Sequence, residues 1–216
     1  MRKILALIFL IATTLSYSQE FKERFSQDVC KCFTEKKEIE RNTLESCYTK
    51  YLVNYQSDFN KLIDKDSKLS EYEQGVIHAR KLFEDMQSGL IQNCDAYYEF
   101  FNSLREKSIL EMRKNYPDSK LDSLNKEISV NKTAELLWER GNAHFTRNEL
   151  SKAKKDYEMC LEINPNYIQS IYFLGWVYEK QKNYSKAIEL YNRLFLVTQN
   201  VEFKFIIEIA KRKSKL

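Results

Sequence analysis

Residues 134–167 read AELLWERGNAHFTRNELSKAKKDYEMCLEINPNY, and residues 168–201 read IQSIYFLGWVYEKQKNYSKAIELYNRLFLVTQNV. Laid over each other with a shift of 34 residues, they place Gly141 on Gly175, Ala153 on Ala187, Tyr157 on Tyr191 and Leu137 on Ile171. Ser151-Lys152-Ala153 falls on Ser185-Lys186-Ala187. A fixed period of this size marks stacked supersecondary units, each of which needs a neighbour to bury its apolar face.

The period and the residues that carry it resemble the tetratricopeptide repeat family, with repeats at 134–167 and 168–201. The resemblance implies two antiparallel helices, A and B, per repeat. Gly141 and Gly175 then stand where helix A approaches its partner closely and a side chain has no room. Ala153 and Ala187 are the small residues of helix B that face it, Tyr157 and Tyr191 fill the core beside them, and Pro165 follows the first helix B. The chain departs from the family pattern at Leu137 and Ile171, where a Trp is usual, at His144 in a place usually aromatic, and at Gln199 in place of the closing Pro. Cys160 takes a position where the family prefers a small buried residue, which makes it an inert core thiol.

In this family, helix A residues two, five, nine and twelve of each repeat line a concave surface. Here these are Glu135, Trp138, Asn142 and Phe145, then Gln169, Tyr172, Trp176 and Glu179. Both tryptophans of the chain fall on that surface, and large aromatics on a concave face anchor a peptide or helix partner. The resemblance therefore implies a protein or peptide partner held in an aromatic groove. The same aromatics equally suit the docking of the chain's own linker or a bundle helix. Family clamps that grip a C-terminal carboxylate need Lys at the fifth position, and Trp138 and Tyr172 stand there instead.

After the repeats, Val201 to Leu216 carries Phe205, Ile206 and Ile209 at helical spacing and reads as a capping helix for residues 134–216. Its end, Lys211-Arg212-Lys213-Ser214-Lys215, reads as a solvated terminus favoured by the helix dipole. Before the repeats, residues 117–133 are polar and weakly periodic, and Pro117 disfavours helix at Tyr116, so this stretch reads as a linker.

Residues 19–116 read as a helical domain. Phe21, Phe25, Val29, Cys32 and Phe33 recur at three- and four-residue steps, as do Leu44, Tyr48, Tyr51, Leu52, Tyr55, Phe59 and Leu62. The polar stretch 38–43 turns the chain between them, with Asn42 or Thr43 as N-cap. A third stripe runs from Val76 through Ala79, Phe83, Met86, Leu90, Cys94, Tyr97 and Phe101 to Leu104, with Gly89 as the place for a kink. Two helical residues turn the chain by about 200°, so Cys30 and Cys32 point to opposite sides and do not bond each other. Cys32 and Cys47 lie almost equally far from the turn, as a cross-link between antiparallel helices requires, which leaves Cys30 for Cys94. Four cysteines allow two other connectivities as well.

Arg2-Lys3, the apolar run from Ile4 to Ala12 and the small residues Ser16 and Ser18 compose a secretory signal peptide over 1–18, with the mature chain beginning near Gln19. The run is shorter than the roughly 20 residues a membrane span needs. The expectation is an exported protein, periplasmic or secreted, that does not span a membrane after cleavage. In an oxidising compartment the clustered cysteines read as two disulfides.

The 216 residues are 43% hydrophobic, 13% aromatic and 31% charged, with 4 Gly and 2 Pro, a composition that fills a helical core and lacks the turn chemistry of many-stranded sandwiches. Without Arg2 and Lys3 the chain has 33 basic and 31 acidic residues, too even a balance to mark a nucleic-acid surface. No catalytic, cofactor or metal site is read: His78 and His144 have neither zinc-protease nor triad spacing, and the Gly content holds no phosphate loop. Asn131 and Asn183 head Asn-x-Ser/Thr triplets that chance alone explains.

The chain thus reads as all-α: a disulfide-stapled helical bundle, then a tetratricopeptide helix-turn-helix array with a C-terminal capping helix, acting as an exported adaptor or scaffold. Two other readings stand beside it. One is a thiol-disulfide oxidoreductase using Cys30-Lys31-Cys32, the other a structural cell-envelope component with no separate ligand.

Overall fold

A computed structural model describes residues 20–36 and 41–216; the expected signal peptide at 1–18 and part of the turn at 38–43 lie outside the described residues. Every regular element among them is a helix: α1 (20–35), α2 (Arg41–Asn54), α3 (Gln56–Asn60), α4 (Glu71–Asn93), α5 (Asp95–Lys114), α6 (Asp118–Val130), α7 (Ala134–Thr146), α8 (Leu150–Ile163), α9 (Ile168–Lys180), α10 (Tyr184–Thr198) and α11 (Glu202–Lys213). The chain divides into two compact units after Phe100, so α5 begins in the first and continues into the second.

In the first unit, the apolar stripe of α1 is its buried face. Phe21, Phe25, Val29 and Phe33 are all buried. Phe25 meets the rings of Tyr55 and Tyr48 at 5.4 and 6.1 Å, and Phe33 meets Tyr97 at 5.0 Å, offset and tilted arrangements that aromatic quadrupoles favour. Asn42 and Thr43 lie inside α2 rather than capping it, and the expected second helix breaks at Tyr55, whose hydroxyl donates to Asp28 Oδ2 at 2.8 Å. α4 opens on a capping box: Ser70 Oγ accepts from the Glu73 amide, and the Glu73 carboxylate accepts from the Ser70 amide. The helix runs through Gly89 without a break. It stops at Cys94, whose extended backbone separates α4 from α5, while Val76, expected in the core, is exposed.

Two cysteine pairs are at disulfide distance, Cys30 with Cys94 at 2.09 Å and Cys32 with Cys47 at 2.00 Å, the pairs that the antiparallel-helix argument selects. Cys30 and Cys32 therefore belong to different cross-links, and Cys30-Lys31-Cys32 is not a dithiol unit in this structure.

The second unit holds the repeats. α7 packs on α8 and α9 on α10; α8 then packs on α9, and α10 on α11. Each A-to-B turn passes through one residue of positive φ, Asn148 and Lys182 (both 59°), again 34 residues apart. The glycine argument holds with one change of partner. A Cβ on Gly141 would stand 2.5 Å from Tyr157 Cε1, and one on Gly175 would stand 2.6 Å from Tyr191 Cε1, so the tyrosine rings rather than Ala153 and Ala187 take the space. α11 starts one further period on, and there Ile209, fully buried, stands in the glycine register.

The stretch 117–133, read from sequence as a linker, differs. Pro117 ends nothing further than α5 and immediately precedes α6, which packs on α7. Sparse apolar residues suffice there: Leu124 and Ile128 are buried, Leu124 with Tyr116 and Ala143, Ile128 with Leu137 and Cys160. The basic end of α11 also differs, because Lys213 Nζ donates to Glu179 Oε1 at 2.8 Å and is only 18% exposed.

Candidate functional site

The face that the repeat resemblance makes concave is carried by α7 and α9. Its eight expected residues divide by their place along these helices. Toward the N-terminal ends, Glu135 and Gln169 are exposed and Trp138 and Tyr172 are half-buried. Toward the C-terminal ends, Asn142, Phe145, Trp176 and Glu179 are all buried, at 1 to 3% exposure. For these four the expectation of an open partner-binding surface is corrected.

The segment of α5 within the second unit covers them. Phe101 meets Phe205 of α11 with ring centroids 4.5 Å apart. One turn on, Arg105 Nη1 and Nη2 donate to Glu179 Oε1 and Oε2 at 2.9 and 3.1 Å, and the guanidinium lies 4.7 Å over the Trp176 ring. Ile109 and Met112 join the cluster that contains Phe145 and Trp176. Beyond the helix end, the Tyr116 hydroxyl accepts from Asn142 Nδ2 at 3.1 Å, while Asn142 Oδ1 accepts from Tyr157 at 2.8 Å. α5 thus lies along the C-terminal halves of α9 and α7, as a helix ligand would.

Glu179 is the electrostatic centre of this contact. Burial alone would raise its carboxyl, but Arg105 and then Lys213 outweigh that and hold it below the ordinary glutamate value. The Tyr191 hydroxyl donates to Glu179 Oε2 at 3.0 Å; burial foremost, opposed by Arg105 and helped by Glu179, leaves it well above the ordinary tyrosine value. In the first repeat, Arg140 grips buried Asp156 through Nε and Nη2 at 2.8 and 2.6 Å, and His144 Nδ1 pairs with Glu149.

The half that remains accessible is a strip across α7 and α9. The ring of Trp138 leans on Tyr167 at 5.9 Å, and that of Tyr172 on Phe173 and Trp176 at 5.2 and 5.8 Å. Exposed Glu135 and Gln169 precede these rings by one helical turn. Arg105, Ile109 and Tyr116 were missed as groove residues from sequence, although Phe101, Arg105 and Ile109 share one helix face at four-residue steps.

Among the described residues no cluster of His, Cys, Asp and Glu is arranged to hold a metal ion, and no helix is long and apolar enough to cross a membrane. Cys160 is fully buried and accepts a hydrogen bond from Ser170 at 3.0 Å.

Comparison with known proteins agrees with this geometry. Residues 134–167 and 168–200 each match a family model described as tetratricopeptide repeat, so the chain carries two such repeats. An uncharacterized protein of Pyropia yezoensis, ycf37, is 28% identical over 151 residues, covering 70% of this chain and 75% of that protein. The Hsp70-Hsp90 organising protein of Plasmodium falciparum (isolate 3D7) is 33% identical over 78 residues, which are 36% of this chain and 14% of the relative. Tetratricopeptide repeat protein 6 of Homo sapiens is 26% identical over 84 residues, 39% of this chain and 16% of that protein. The chain thus spans only a small part of the last two.

Proposed function

We propose that this protein is a non-enzymatic interaction adaptor whose array holds α5 in cis on one half of its concave face and takes a protein or peptide partner on the other. The partner strip is Glu135, Trp138, Gln169 and Tyr172. One observation carries this reading: two large rings stay half-buried between an exposed carboxylate and an exposed amide, beside a half that already accommodates a helix. The relative named for organising Hsp70 and Hsp90 supports an adaptor role for such repeats.

We also place the protein outside the reducing cytosol. The signal-like segment at 1–18 and the two cysteine pairs at disulfide distance support that placement. Fractionation of cells expressing the full chain tests it, and a protein retained in the cytosol with free thiols would overturn it.

The strip is tested by affinity capture from envelope extract with three proteins of equal helicity by circular dichroism: the wild type, a Trp138→Ala, Tyr172→Ala double variant, and Leu196→Ser, altered at an exposed residue of α10. Loss of a wild-type partner by the double variant alone supports the strip. Loss in Leu196→Ser alone moves the contact to α10, and absence of any partner favours a purely structural envelope component.

A further inference from the structure

A cleft of about 910 Å³ opens between α1 and α4 in the first unit, within the range of roughly 300–1,000 Å³ usual for small-molecule sites. Cys30 and Cys94 both line it. The two cross-links of the unit differ in access. Cys32 and Cys47 are buried, whereas Cys30 is half-buried and faces the cleft. Around it stand charges of both signs, Lys22 paired with Asp85 and Lys31 near Glu35 at 3.9 Å, with Glu23 also on the wall. Gly89 lines the cleft as well, and a Cβ built there meets nothing within 4 Å. A helix-interior glycine costs about 1 kcal/mol against alanine, and no close approach of the protein's own atoms calls for this one.

We propose that Cys30–Cys94 is an exchangeable disulfide and that the cleft receives a small zwitterionic thiol of the cysteine class, which bonds to Cys30 and releases Cys94. The lysines face the ligand's carboxylate, and Glu23, Glu35 and Asp85 face its ammonium. The incoming thiolate attacks Cys30 Sγ, the accessible sulfur. A new sulfur–sulfur bond forms to Cys30 as the Cys30–Cys94 bond breaks, and its electron pair leaves on Cys94. Cys94 then takes the proton that the incoming thiol released, so one disulfide is exchanged for another with no net oxidation.

The choice of leaving group follows from its place in the fold. Cys94 directly precedes α5, and its carbonyl accepts from the Tyr98 amide at 3.0 Å, so it stands at the N-cap of a helix of 20 residues. The same residue closes α4, whose negative end opposes the positive end of α5, so access decides the roles: the thiolate reaches Cys30 Sγ, and buried Cys94 is the sulfur released. Half-exposed Cys30 and buried Cys94 thus have different roles in a single direction of exchange. This inference concerns the first unit alone and stands apart from the reading of the repeats.

The test exposes the folded, oxidised full chain to excess reduced cysteine, alkylates free thiols at intervals and maps the products by mass spectrometry. The expected result is one cysteine adduct on Cys30, an alkylated Cys94 and an intact Cys32–Cys47 pair, with exchange at least about tenfold faster at the first pair than at the second. Neutral 2-mercaptoethanol exchanges more slowly than cysteine at equal thiolate concentration. Gly89→Phe, whose ring enters the cleft, slows the reaction about tenfold while leaving helicity and Cys32–Cys47 unchanged. An adduct on Cys94, equal opening of both pairs, no adduct, or a Gly89→Phe variant as fast as wild type overturns the proposal. A cysteine-bearing protein that exchanges as fast as free cysteine overturns the small-ligand assignment.

Discussion

Arg105 and Glu179, 74 residues apart in sequence, meet through two parallel hydrogen bonds with side chains only 11% and 1% exposed. The pair joins α5 to α9 of the second repeat. Its energetic weight lies in what remains when one member is removed: a buried ion without its partner is costly, whereas a buried pair replaced as a whole is not. Arg105→Met leaves Lys213 beside Glu179 and is therefore expected to destabilise the protein in urea unfolding by less than the about 3–5 kcal/mol of a fully unpaired buried ion. The double variant Arg105→Met, Glu179→Met should recover most of that loss. Equal losses in both would show that the ions do not act as a pair.

The same carboxylate sets an acid limit. Glu179 is held below its ordinary value in the folded protein, so its contribution to stability is present in full above the unfolded glutamate value of about 4.3. That contribution is lost as pH falls through the lower folded value. Urea midpoints measured from pH 6 to pH 3 should fall more steeply for wild type than for Glu179→Gln, and parallel curves would remove the assignment.

Three glycines make opposite predictions. Gly141→Ala and Gly175→Ala each drive a methyl group into a buried tyrosine ring whose hydroxyl is hydrogen-bonded in place, and are expected to cost about 1–3 kcal/mol. Gly89→Ala meets nothing and is expected to stabilise by about 0.5–1 kcal/mol through helix propensity. Thermal unfolding of the three single variants checks the signs.

Cys160 should be silent in the native protein. It is fully buried, and burial raises its thiol above the ordinary value while the Ser170 hydrogen bond opposes that only in part. A thiol reagent such as a maleimide is expected to label Cys160 only after denaturation, and rapid native labelling would contradict the packing of α8 on α9.

The repeats were legible because their constraints are local. Gly141 and Tyr157 lie sixteen residues apart, as do Gly175 and Tyr191, so each contact is written twice within one period. The cysteine pairing was legible because Cys30 and Cys32, two residues apart on one helix, point apart, and because Cys32 and Cys47 lie almost equally far from the turn. The burial of Asn142, Phe145, Trp176 and Glu179 was not. What covers them comes from a helix far upstream, and Arg105 looks in sequence like any solvated helix charge until Glu179 and Trp176 are brought to it. α6 escaped for a related reason: two buried apolar residues, Leu124 and Ile128, make a helix against α7 without making a strong stripe. The same absence of long-range information made Trp176 look free to bind a partner.

Ile209 carries a consequence for how many units such an array contains. Gly141 and Gly175 each leave a hollow into which a tyrosine of the following helix fits, whereas the residue at the same register in α11 is the branched, fully buried Ile209. A helix stacked on α11 in the manner of α8 on α7 would meet a branched side chain where α8 and α10 meet a glycine. A further repeat of the same kind would therefore call for a glycine at position 209.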